Sequence, residues 1–200
     1  MKRFLSMISL VCACTLVQAQ TALPPVWQSD TQKEVQVSTR TIAYLPPTRI
    51  VWQETTGESS IQGLENLLLP GNGQADLFDG QITRIKNGAT GKASFLLDFG
   101  RELQGGIQVV TGRSSKKEMK IRVRFGESVS EAMCEITPEN GATNDHAIRD
   151  FQLTLPWLGV AEIGNSGFRF VRIDLEESNV ELSLKELRAT FGYRDIPYLG

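Results

Sequence analysis

"EMKIRVRFGE", residues 118–127, sets Met119, Ile121, Val123 and Phe125 against Lys120, Arg122 and Arg124. A side-chain period of two belongs to a β-strand with one face on a core and the other in water. The same alternation recurs on both sides of this stretch. "EVQVSTRTIAY" (34–44) puts Val35, Val37, Thr39, Thr41 and Ala43 on one face; "RDFQLTLP" (149–156) groups Phe151, Leu153 and Leu155; "NVELSLKELRATF" (179–191) groups Val180, Leu182 and Leu184. Further β-rich apolar runs occupy 49–53, 92–100, 105–112 and 168–175, with Trp52 in the first of them expected in the core. Glycines punctuate these runs, and no stretch beyond the first residues of the chain carries a helical face. Many short strands separated by Gly, Asn and Pro turns predict an all-β fold, an antiparallel β-sandwich of jelly-roll type.

The chain of 200 residues is long enough for one domain with its own core. Its start, "MKRFLSMISLVCACTLVQAQ", has Lys2 and Arg3, an apolar run to Val17, and small residues before a cut after Ala19, the pattern of a secretory signal peptide. The run is too short for a membrane-spanning helix, so no transmembrane segment is expected. A competing reading takes Cys14 as the lipidated first residue of a lipoprotein; either way the chain is exported, to the periplasm, the cell surface or the medium. The organisation expected is a signal peptide over 1–19, an extended leader over 20–33 and a sandwich over 34–200. Of 21 basic residues two lie in the signal peptide, which leaves 19 against 23 acidic ones. A mildly acidic chain without a basic block has no electrostatic footprint for nucleic acid. Cys134 is the single cysteine after residue 19 and is expected as a partly buried small apolar residue.

Asp98-Phe99-Gly100 is the tripeptide that holds magnesium in protein kinases, but kinase chemistry also needs an upstream H-R-D loop. The single histidine, His146, lies downstream and is followed by Ala-Ile-Arg. The tripeptide is therefore expected as a turn, with Phe99 in the core, Gly100 letting the chain bend and Asp98 accepting backbone hydrogen bonds. "GNGQAD" (71–76) and "NGATGKAS" (87–94) lack Walker spacing and are expected as hairpin loops. One histidine and one remaining cysteine exclude the usual zinc sets. No cofactor is expected; calcium on "ENGATND" (139–145) competes with a solvated turn there. Glu102, Glu127, Glu131, Glu135 and Asp150 show no spacing that marks a catalytic pair. Sugars stack an apolar face on aromatic rings while polar side chains hold the hydroxyls. Trp157 and Asp145 are the candidate carbohydrate contacts, and packing in the core or against another domain is the competing reading of Trp157.

Taken in order, "SFLLDFGRELQGGIQVVTG" (94–112), "IRVRFGESV" (121–129), "RDFQLTLPWLG" (149–159) and "GFRFVRIDL" (167–175) resemble the β-sandwich that precedes the catalytic barrel in bacterial α-L-rhamnosidases and related glycoside hydrolases. That family carries D-F-G-x-x-x-x-G, then an acid-ended strand, then G-F-R-Y/F. These fall here on Asp98, Phe99, Gly100 and Gly105, on Glu127, and on Gly167 to Phe170. "PTRIVWQ" (47–53), "LENLLLPGNGQ" (64–74) and the closing "FGYRDIPYLG" fit the same picture, so the resemblance covers about residues 45–200. It implies an accessory, non-catalytic sandwich of an enzyme that cleaves α-L-rhamnosides with inversion, using two carboxylates of an (α/α)6 barrel. No catalytic residue of the family maps onto this sequence, and the barrel is expected after Gly200. The resemblance implies that barrel as a partner, a rhamnose-containing glycan as a ligand, and Trp157, Leu158, Tyr198 and Leu199 as packing contacts. A free-standing secreted carbohydrate-binding module and a structural envelope protein are the alternatives.

Overall fold

The computed structural model describes residues 40–77, 80–137 and 149–194. The proposed signal peptide and leader, the 139–145 loop with Asp145, His146, Tyr198 and Leu199 lie outside them. Among the described residues nine strands form one antiparallel hydrogen-bonded sheet that bends into two layers. They are β1 (Arg40–Leu45), β2 (Arg49–Thr55), β3 (Ser60–Gln62), β4 (Thr83–Asn87), β5 (Ala93–Thr111), β6 (Glu118–Gly126), β7 (Asp150–Pro156), β8 (Gly159–Leu175) and β9 (Val180–Arg194). The antiparallel sandwich expected from the alternation is what forms.

Three long strands make the two layers. The first half of β5 runs between β2 and the second half of β8, and β6 and β7 extend that layer. The second half of β5 runs between β9 and the first half of β8, while β9 carries β4 and β1 on its other side. Long strands pass between sheets through bulges, which add local bend without breaking the chain's pairing. Inward residues of both layers meet in one core, which includes Phe95, Leu97, Ile107, Val109, Ile121, Val123, Phe125, Leu182 and Leu187. Phe125 and Phe168 meet edge to face at its centre, with centroids 5.0 Å apart.

Four expectations change. The runs 92–100 and 105–112 belong to one 19-residue strand, β5, instead of two strands. The stretch 87–94 is not a hairpin loop, because β4 pairs with β9 and β3 and not with the strand that follows it. Two short helical turns are present: a 3-10 turn over Leu64–Leu68 and α1 over Val129–Met133. Ser128 caps α1, its Oγ accepting from the Glu131 N–H at 3.2 Å while Glu131 Oε2 accepts from the Glu127 N–H at 3.0 Å. Trp52, finally, is half-buried outside the main core, in a small cluster with Leu96, Phe170 and Ala132.

Candidate functional site

The D-F-G stretch forms the bend of β5. Asp98 pairs with Phe170 and Leu103 with Phe168, so Phe99 to Glu102 bulge opposite the single residue Arg169. Gly100 sits at φ +79, a conformation that side chains with a Cβ avoid, and Phe99 enters the core. Asp98 is 1% exposed and binds Arg169 Nε at 2.8 Å and Nη2 at 3.0 Å, Arg49 Nη2 at 2.9 Å and the Gly100 N–H at 2.7 Å. The Arg169 guanidinium, helped by the Gly100 N–H and Arg49, holds this carboxyl down to about 2 against the opposing effect of burial. The role of Asp98 is to staple the bend.

On the outer face of the first layer, cross-strand register aligns Glu54, Ser94, Asp174, Arg122 and Gln152 in one row. Trp52, Leu96, Arg172, Arg124 and Asp150 form the next. Arg124, expected in water by alternation, is 2% exposed. Its reason is charge pairing: Nη1 donates to Glu135 and Nη2 to Asp174, each at 2.8 Å. Arg122 binds Asp150 at 2.6 and 2.9 Å and Glu135 at 2.8 Å. Arg172 binds Asp174 and lies 5.0 Å over the Trp52 ring. Burial pushes Asp174 up, but the Ser94 hydroxyl, Arg124 and Arg172 together outweigh it and hold it below the usual carboxylate range. Arg122, ahead of Arg124, lowers Glu135. A cleft of about 230 Å³ beside these residues is lined mainly by groups already paired with one another.

The outer face of the second layer is open. A groove of about 510 Å³ crosses four adjacent strands, with Ile42 and Tyr44 from β1, Thr190, Gly192, Tyr193 and Arg194 from β9, Gln104 to Gly106 from β5 and Glu162, Gly164 and Asn165 from β8. A ladder of planar polar groups runs along one side. The Arg188 guanidinium stacks 4.1 Å from the Tyr44 centroid, its Nε donates to Gln108 Oε1 at 2.8 Å, and Gln108 Nε2 donates to Glu162 Oε1. Glu186, beside Arg188, accepts from the Gly73 N–H at 3.0 and 3.1 Å and so ties the 70–77 loop to the same ladder. Tyr193 stacks on Phe191 with ring planes 18° apart. Tyr193 lies with Phe191 on the face of β9 opposite Thr190, Gly192 and Arg194, so Tyr44, 44% exposed, is the tyrosine ring braced on the protein that presents its surface on this outer face. A Cβ at Gly192 would meet no atom within 4 Å, so the groove is open there. Bracing matters because a ring or amide already held in place loses little entropy when it meets a ligand.

Neither sequence-derived candidate lines this groove. Trp157 is exposed at the turn between β7 and β8, near the Thr111–Gly159 end of the layer, and its carbonyl accepts from Ser114. Leu158 beside it is half-buried. Among the acids, Glu135 and Asp150 are committed to Arg122 and Glu131 to α1, while Glu102 and Glu127 are exposed beside Gly167. Cys134 is half-buried, with Sγ 3.3 Å from the Glu135 carbonyl. The signal for the groove was Ile42 and Tyr44, apolar residues on the face of β1 that the alternation assigns to water.

No family model matches this chain, and no curated protein does. Among solved structures it is similar to a rhamnosidase from Klebsiella oxytoca with rhamnose bound, at 13% identity and a TM-score of 0.46, covering 76% of this chain and 29% of that one. It is also similar to a GH78 family rhamnosidase of Bacillus sp. GL1, at 15% identity and a TM-score of 0.43, covering 68% of this chain and 13% of that one. A third is a Streptococcus pneumoniae fucose binding module, at 17% identity and a TM-score of 0.43, covering 74% of this chain and 99% of that one. The chain thus matches less than a third of the length of either rhamnosidase. Among the described residues no helix is long and apolar enough to cross a membrane.

Proposed function

We propose that this sandwich binds carbohydrate in the open groove of its second layer, as the non-catalytic portion of an exported α-L-rhamnosidase-like glycoside hydrolase. The observation that carries the reading is the pairing of one braced and half-exposed tyrosine, Tyr44, with polar groups that still have bonding capacity. Sugar rings offer an apolar C–H face to an aromatic ring and vicinal hydroxyls to planar amides and carboxylates. In this groove Tyr44, held by Arg188 and flanked by Ile42, supplies the first kind of surface. Gln104, Asn165 and the second oxygen of Glu162 supply the other kind, and none of them is hydrogen-bonded to another of the described residues. One acid, Glu162, and one terminal base, Arg194, line it, a balance that suits a neutral polyol better than an anion. The narrower assignment to a rhamnosidase rests on the order of the D-F-G, acid-ended and G-F-R-F stretches. In that assignment residues 1–19 are removed on export and catalysis belongs to a separate barrel.

The test is calorimetric titration of the purified chain with rhamnose-containing oligosaccharides, repeated on Tyr44→Ala and Gly192→Phe. Saturable binding that both substitutions remove is expected. Binding that survives both would place the sugar elsewhere, and no binding at millimolar sugar would remove the reading.

A further inference from the structure

The groove's relation to the sheet edges says more about its ligand. Where the groove crosses it, along residues 189–194 of β9, the second layer is bordered by β1 and by the first half of β8. β1 pairs with β9 alone, and residues 159–167 of β8 pair with β5 alone. Among the described residues neither border carries a further strand. The groove is lined from β1, β9, β5 and β8 in turn, so it runs from one sheet edge to the other. Three inter-strand spacings of about 4.8 Å make that passage roughly 14 Å wide. Its volume of about 510 Å³ falls in the general range of small-molecule sites, about 300–1,000 Å³.

We infer that this groove, if it is the sugar site proposed above, takes an internal stretch of an unbranched glycan chain and not a chain end. A site that reads a chain end needs a wall to stop it, and a polar group placed there to bind the terminal hydroxyls. Here the contacts are spread along the passage. Tyr44 stands at the β1 border, Thr190 on β9, Gln104 on β5, and Glu162 with Asn165 on β8. Successive sugar units then meet successive strands, and affinity grows with the number of units until the passage is filled. The ladder from Arg188 through Gln108 to Glu162 crosses the same strands and gives the chain one consistent polar flank.

The experiment is binding of the purified chain to an array that displays rhamnose-containing and other plant and bacterial glycans as mono-, di-, tetra- and hexasaccharides. It is followed by titration of any tetrasaccharide bound, and of the same compound with both ends chemically blocked. The expected result is affinity that rises by roughly tenfold or more from mono- to tetrasaccharide, then levels, with no loss on blocking the ends. Equal affinity for mono- and tetrasaccharide, or loss on blocking, overturns the inference while leaving sugar binding intact. Binding at no length removes both readings. Gly192→Phe and Gln104→Ala, checked for folding by circular dichroism, must each abolish the length dependence; if neither does, the passage is not the site.

Discussion

The two outer faces of this sandwich are built from similar parts and put them to different use. Each has an arginine over an aromatic ring, Arg172 on Trp52 and Arg188 on Tyr44. Each aligns polar side chains across neighbouring strands. On the first face the arginines are spent on Asp150, Glu135 and Asp174, and Arg124 is buried among them. On the second the ladder leaves Glu162, Gln104 and Asn165 with capacity to spare and Tyr44 half in solvent. On the reading proposed above, the open face can bind because its hydrogen-bonding groups are held but not saturated. Where they saturate one another, the same chemistry stabilises the fold.

Three measurements break or sharpen that contrast. The largest effect is expected on the closed face. Arg124→Met strips the buried partner from Asp174 and Glu135, and leaving a buried carboxylate short of its partner costs about 3 kcal/mol. Urea unfolding should show this loss with sugar binding unchanged; a loss within experimental error would mean that the network is dispensable.

Asp98 at the bend comes next. Its folded pKa of about 2 lies below its ordinary value of 3.8, so its contribution is present above 3.8 and is lost as pH falls through about 2. Asp98→Asn should destabilise by roughly 2 kcal/mol near neutral pH. The gap between variant and parent should close between about pH 4 and pH 2. A pH-independent gap would assign the effect to geometry instead of charge.

The smallest effect on stability belongs to the open face. Gly192→Phe adds a side chain where nothing stands within 4 Å, so stability should move by about 0.5 kcal/mol or less. The same variant should lose sugar binding. A large drop in its melting temperature would show that the open face is also part of what holds the fold together.

Much of the fold was legible one strand at a time. The phases of β6, β7 and the first part of β9 follow directly from alternation, because a strand with one dry face must place apolar residues at every second position. Met119, Ile121, Val123 and Phe125 are all buried as that rule requires. The Ser128-x-x-Glu131 pattern that starts α1 is also a local signal, since a capping box needs no distant partner. Past Leu184 the phase of β9 shifts: Thr111 pairs with Leu184 and Val110 with Glu186, so Lys185 is extra, and Leu187 and Ala189 now face the core. Period counting cannot place such a bulge, because it exists only where a partner strand is one residue shorter.

What the sequence by itself determined is the all-β class, the inward face of most strands, and the roles of Phe99 and Gly100 at a bend. Tertiary structure alone decided that the bend joins two halves of one strand, that Arg124 is buried, and where the groove lies. Each of these depends on residues far apart in the chain. Asp98 meets Arg169 at a separation of 71 residues and Arg188 meets Gln108 at 80. Alternation reports whether a side chain faces the core or the solvent, a property of one strand. Which charges cancel and which aromatic rings stay open is set by cross-strand register, a property of strand pairs that no single strand encodes.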